Sequence, residues 1–259
     1  MRIRRKILAA TGLILPLFLI VAAVFLVEAL WFWQPSVERG NFSSIENHLV
    51  QKLADAAQNK RLGSAGLVLI QNGKIAAEHG FGVSNVETQT VVKPDRTLFQ
   101  VGSVSKSVTA FGVMKLVEEG KIGLDEPAMR YLKKWQFPGS EAHREKVTVR
   151  QLLSYTAGLE DQSNIGVILP GEKMQTLEES LGANAVKIVS EPGTAMIYGN
   201  GSTAVLQLLI EDVTNRPFAE YMKETVLNPL EMTKSSFDFD AIEPNLTPGF
   251  DSWLSCFAN

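Results

Sequence analysis

The sequence predicts a mixed α/β chain, a small antiparallel sheet followed by a mostly helical body, set behind one apolar N-terminal span. Three observations carry this. Two strand-like runs, residues 66–71 and 74–80, are joined by Asn72-Gly73. After Asn85 the apolar residues fall at helical spacing. Ahead of both, residues 7–27 form an apolar run with no charged side chain.

The N-terminal run comes first. Arg2, Arg4, Arg5 and Lys6 precede it. As a helix it would extend roughly 31 Å, about the hydrocarbon thickness of a bilayer. Basic residues favour the cytoplasmic side, which places the remainder of the chain outside as the ectodomain of a single-pass, extracytoplasmic (periplasmic) membrane protein. Trp31, Phe32 and Trp33 fit an interfacial aromatic belt, and Pro16 is compatible with a kinked span. A cleaved signal peptide is the competing reading. Signal cores run about 7–15 apolar residues, shorter than this one. Only Val27-Glu28-Ala29 resembles a cleavage site. The expected division is residues 1–6 as a cytoplasmic stub, 7–33 as the anchor, 34–42 as a linker and 43–259 as the folded domain.

Within the domain, Ser43-Ser44-Ile45-Glu46 fits a capping box, and Ile45, Leu49, Leu53 and Ala56 give the helix it opens one apolar stripe. Asn-Gly tolerates positive φ at both centres of a type I′ turn, so residues 66–80 read as a β-hairpin. The next helix begins at Ser103. Val104, Val108, Phe111, Val113, Leu116 and Val117 cover so much of its surface that it is expected inside the domain, with Gly120 ending it. Thr148 is placed to cap a short helix through Leu153. Two more helices are expected at about 202–213 and 218–227, the latter with Pro217 at its start.

Composition narrows the function. The net charge is −3, and four of the 25 basic groups lie in the first six residues, so the ectodomain is acidic and offers no nucleic-acid footprint. Small molecules or cell-wall peptides are the expected partners, together with the membrane through the N-terminal helix. Cys256 is the single cysteine, so no disulfide can form within the chain. His48, His79 and His143 are scattered without a metal-binding spacing, and no cofactor is expected.

The chemistry centres on Ser103-Val104-Ser105-Lys106. Residues three apart share a helix face, so Ser103 and Lys106 can meet as a hydroxyl and the amine that takes its proton. Read alone, Ser103 is equally an N-cap and Lys106 a solvated first-turn lysine. Tyr198-Gly199-Asn200 supplies a second set of polar groups.

From about Gly66 to Phe237 the sequence resembles the β-lactamase-related serine hydrolases. These include class C β-lactamases, D-alanyl-D-alanine carboxypeptidases and related esterases. The motifs run in family order: the hairpin of residues 67–74, Gly80-Phe81-Gly82-Val83, the nucleophile segment of residues 97–106, and the helix end at residues 116–122. Then come Leu152-Leu153-Ser154-Tyr155-Thr156-Ala157-Gly158-Leu159, in which the family more often has His at Tyr155, the Tyr-x-Asn element at Tyr198, and Asn228-Pro229-Leu230-Glu231-Met232-Thr233.

The resemblance implies an α/β (α+β) fold of the β-lactamase/transpeptidase type. An antiparallel sheet is flanked by helices, with a helical subdomain and the nucleophile at their junction. In the family three further strands and a final helix follow, one strand carrying Lys-Thr-Gly or His-x-Gly. No such element follows Tyr198, and residues 251–259 resemble none of those strands, so a chain truncated at its C-terminus is expected.

It also implies acyl transfer on an ester or amide (a β-lactam, a D-alanyl peptide or a carboxylic ester), with Ser103 as nucleophile and Lys106 and Tyr198 as its activating pair. Lysine accepts a proton only when neutral, a form that burial favours, and Tyr198 can share the task as a phenolate beside the ammonium. Which of the two is the base stays open at the level of sequence. Asn200 is expected to hydrogen-bond substrate or to steady Lys106, and the Ser103 N–H to help bind the oxyanion. The competing reading, motivated by the absent strand motif, is a catalytically dead ectodomain that binds peptidoglycan peptides or another protein.

Overall fold

The computed structural model describes residues 40–138, 141–160, 165, 175–184 and 186–238. The expected anchor and the expected C-terminal departure lie outside the described residues. Among those described, no helix is long and apolar enough to cross a membrane.

The first helix, α1 (Phe42–Gln58), starts earlier than its expected cap. Asn41 rather than Ser43 is the N-cap, its side chain accepting the Ser44 N–H at 3.1 Å. Asn ranks with Ser as a cap and stands two residues upstream, so the first turn closes on it instead.

The hairpin is longer than its sequence signal. Strands β1 (Ser64–Gln71) and β2 (Lys74–Asn85) pair antiparallel, Leu67 opposite His79 and Ile70 opposite Ile75, with an irregularity between Leu69 and Ile70. Asn72 and Gly73 both take positive φ, 51° and 72°, as a type I′ turn requires. A two-residue strand β3 (Thr90–Val91) completes the sheet in the order β1-β2-β3. Helix α1 packs on the hairpin, and the His79 ring lies 2.9 Å from the Glu46 carboxylate across that contact.

Helix α2 (Val104–Glu118) ends as expected. Gly120 takes φ +67°, and its N–H and that of Lys121 return to the carbonyls of Val117 and Leu116 in a Schellman turn. The expectation that α2 is buried all round is corrected. Val104, Phe111 and Met114 form an exposed stripe, while Thr109, Gly112, Val113 and Leu116 face inward. Residues three and seven apart share a helix face, so α2 has two apolar faces and the described body covers one.

The short helices α3 (Glu141–Arg144), α4 (Val149–Leu153) and α5 (Leu177–Asn184) follow a 3₁₀ turn at Ala128–Arg130. Thr148 caps α4 as expected, in a full capping box with Gln151. The centre of the body is α6 (Asn200–Thr214), whose residues Gly201–Ile210 are all buried and which packs on α2, α4, α5 and α7. Asp212 near its end clips the 130s loop, accepting the backbone N–H groups of Lys133 and Lys134 at 2.6 and 3.1 Å.

The last expected helix is two pieces, α7 (Phe218–Met222) and a π turn over Lys223–Leu227. Here α2 and α7 approach closely. A β-carbon added at Gly112 would lie 2.4 Å from Met222 Sδ, and the Tyr221 hydroxyl donates to the Gly112 carbonyl at 3.1 Å.

Candidate active site

Ser103 sits at the N-terminus of α2 but does not act as its cap. It has helical backbone angles, φ −64° and ψ −3°, and its side chain makes no capping hydrogen bond. A capping serine takes extended angles and accepts an N–H from the next turn. The turn is instead closed by backbone bonds from the Val104, Ser105 and Lys106 N–H groups to the carbonyls of Val101, Gly102 and Ser103. Gly102 enters it at φ +56°, a left-handed conformation glycine adopts without steric cost. That leaves the Ser103 side chain exposed and its backbone N–H without a partner among the described residues.

Lys106 is buried, 8% exposed, on the inner side of the same turn. Its Nζ donates to Ser103 Oγ at 2.9 Å. Taking an amine out of water is costly unless it gains partners. Lys106 has the serine oxygen on one side and the face of Tyr198 on the other, with Nζ 5.2 Å from the ring centre. That is within cation–π range. Tyr198 itself is half exposed.

Tyr198 ends a loop held in place by the segment after α4. The Ile197 N–H donates to the Tyr155 carbonyl at 2.9 Å, Gly193 N–H to Thr156 at 2.7 Å, and Val189 N–H to Gly158 at 2.8 Å. The Tyr155 and Tyr198 rings lie 4.9 Å apart between centres, tilted by 49°. Burial pushes the Tyr155 phenol up from its usual range, a hydrogen bond from Thr203 of α6 acts in the opposite direction, and the neighbouring Tyr198 raises it further.

The structure thus brings Ser103, Lys106 and Tyr198 together across almost a hundred residues of sequence. Asn200, the first residue of α6, is fixed differently. Its Nδ2 donates to the carbonyl of the buried Ile165 at 3.0 Å. Tyr155 is the neighbour that sequence reasoning gave no role. Its one signal was a tyrosine where the resembling family more often has histidine. Among the described residues, no three His, Cys, Asp or Glu side chains are grouped to hold a metal ion.

Comparison with known proteins shows the family. The putative penicillin-binding protein PbpX of Bacillus subtilis (strain 168) is 28% identical over 180 residues, covering 69% of this chain and 42% of PbpX. Protein flp of Staphylococcus aureus (strain NCTC 8325 / PS 47) is 24% identical over 182 residues, 70% of this chain and 36% of flp. The chain therefore spans less than half the length of these curated relatives. Among solved structures, the octameric penicillin-binding protein homologue from Pyrococcus abyssi superposes with a TM-score of 0.64 at 28% identity, covering 80% of this chain and 47% of that one. The family model described as Beta-lactamase matches residues 47–251, well over half of the sequence. The chain belongs to the β-lactamase-related serine hydrolase family.

Proposed function

We propose that the chain acts as a serine hydrolase that transfers the acyl group of an ester or amide through Ser103. The observation that carries this is the 2.9 Å contact between Lys106 Nζ and a serine hydroxyl that caps nothing. In its neutral form Lys106 takes the Ser103 proton as Oγ bonds to the substrate carbonyl carbon. The bond to the leaving alcohol or amine then breaks, and the proton passes to that group. Water adds to the acyl carbon and gives up a proton to Lys106, which passes it to Ser103 Oγ as the bond from Oγ to the acyl carbon breaks and the acid leaves. The open N–H of Ser103, at the positive end of α2, serves the oxyanion.

Tyr198 shields the amine and, as a phenol beside it, takes part in the proton transfer. Asn200 is assigned to the substrate side of the pocket through its place two residues after Tyr198. The substrate class we favour is a cell-wall peptide or a β-lactam that mimics one, for which the relative named as a putative penicillin-binding protein is the support. The uncharged run of residues 7–27 behind four basic residues supports a membrane-anchored, extracytoplasmic setting.

The test is covalent labelling of the full chain by a fluorescent penicillin and by a fluorophosphonate. Labelling that is lost in Ser103→Ala is the expected result. Wild type labelling no better than that variant would overturn the assignment. Saturable binding of peptidoglycan peptides that survives Ser103→Ala, without ester turnover, would instead establish a binding ectodomain.

A further inference from the structure

Tyr155 combines three features that the acyl-transfer chemistry does not itself require. Its backbone is left-handed, φ +59°, a conformation that is an outlier for a bulky aromatic residue. It is the C′ position of a Schellman turn that ends α4, in which the Tyr155 and Thr156 N–H groups return to the Leu152 and Gln151 carbonyls. Its carbonyl receives the N–H of Ile197, the residue before Tyr198. Its ring stands 4.9 Å from the Tyr198 ring, tilted by 49°. One residue thus holds both the backbone of the Tyr198 segment, through its carbonyl, and the Tyr198 side chain, through its ring.

We propose that Tyr155 is a positioning residue that holds the Tyr198 ring over the Lys106 amine. It acts through Tyr198. This rests on the reading of Ser103, Lys106 and Tyr198 as the reacting group, and it adds the device that keeps the third member in register with the first two. The contact is between the two tilted rings, so a phenylalanine at 155 fulfils the role and a residue without a ring does not.

The experiment compares wild type, Tyr155→Gly and Tyr155→Phe in the full chain. Glycine adopts positive φ freely, so Tyr155→Gly keeps the backbone and its carbonyl bond while deleting the ring. Each protein is titrated with a fluorophosphonate, and the labelling rate is expressed per reactive site. Displacing a reacting group by about an ångström can cost about 10²-fold. Tyr155→Gly is therefore expected to lose about that factor in rate per site, with the probe concentration at half-saturation unchanged, while Tyr155→Phe keeps the wild-type rate. A loss confined to the fraction of reactive molecules, or an equal loss in Tyr155→Phe, overturns the proposal.

A second readout does not depend on chemistry at Ser103. With the four tyrosines replaced by 3-fluorotyrosine, the Tyr198 resonance is identified by its disappearance in Tyr198→Phe. It should move in Tyr155→Gly and stay near its place in Tyr155→Phe. An unmoved resonance in Tyr155→Gly overturns the proposal. If wild type labels with no probe, the acyl-transfer reading fails while this measurement still decides whether Tyr155 sets the Tyr198 ring.

Discussion

Lys106 Nζ lies between two partners of different kinds, the Ser103 hydroxyl at 2.9 Å and the Tyr198 ring face with its centre 5.2 Å away. The hydroxyl contact has hydrogen-bond geometry, whereas the ring offers the amine its π face. In the proposed acyl transfer Lys106 is the first acceptor of the serine proton and Tyr198 its cover. A positioned acid–base group contributes about 10²–10⁴ in rate. Lys106→Met should therefore lower the rate of fluorophosphonate labelling by about 10²–10⁴, and Tyr198→Phe, which keeps the ring, by clearly less. Stopped-flow labelling of the two variants checks the order. A larger loss in Tyr198→Phe would make the phenol the base.

The same lysine separates loss of chemistry from loss of fold. A buried ammonium is costly, and replacing buried charge by an apolar side chain of similar volume is often neutral or stabilising. Lys106→Met is thus expected to unfold at a temperature equal to or above that of wild type, as measured by circular dichroism. A marked fall would mean that the Ser103 and Tyr198 contacts stabilise the fold more than burial of the amine destabilises it.

Gly112 sets the distance between α2 and α7. Its added β-carbon would fall 2.4 Å from Met222 Sδ, and Met222 is fully buried. Forcing extra volume into a packed contact costs about 1–3 kcal/mol. Gly112→Ala should lose about that much stability in urea unfolding, and pairing it with Met222→Ala should recover part of the loss because the two substitutions share one contact. Additive losses in the pair would show that the helix backbone, not the methionine, resists the methyl group.

The hairpin turn, the end of α2, the cap of α4 and the meeting of Ser103 with Lys106 were legible in the sequence because each depends on residues within a few positions of one another. Asn72-Gly73 demands its turn, and a spacing of three places two side chains on one helix face. The convergence of Tyr198 on that face was legible only through motif order, since nothing local to it encodes a partner almost a hundred residues away. The left-handed backbone at Tyr155 was not legible at all. No tyrosine signals positive φ, and the angle belongs to the Schellman turn that ends α4, where the Tyr155 and Thr156 N–H groups return to the Leu152 and Gln151 carbonyls. Nor was the split of α2 into a covered face and an exposed one at Val104, Phe111 and Met114, because periodicity marks apolar residues without saying what packs on them. The break between α7 and the π turn escaped for a similar reason, since no proline or glycine in residues 218–227 marks it.

Tyr221 gives the fold a pH dependence of definite sign. Its ring is buried, 3% exposed, and its hydroxyl donates to the Gly112 carbonyl. Burial first, and the nearby Glu119 carboxylate second, push the phenol up to about 12. In the unfolded chain a tyrosine titrates near about 10. Between those values the folded protein holds a proton that the unfolded chain has released. Stability rises with pH only where the unfolded state binds more protons, so here it must fall. The contribution is complete below about pH 10 and is lost as pH climbs towards about 12. Tyr221→Phe removes this titration while giving up one hydrogen bond, a cost of about 0.5–1.5 kcal/mol at neutral pH. Urea midpoints measured for both proteins from neutral pH upward should therefore converge above about pH 10, wild type falling more steeply. Parallel curves would show that the Tyr221 phenol titrates alike in the folded and unfolded protein.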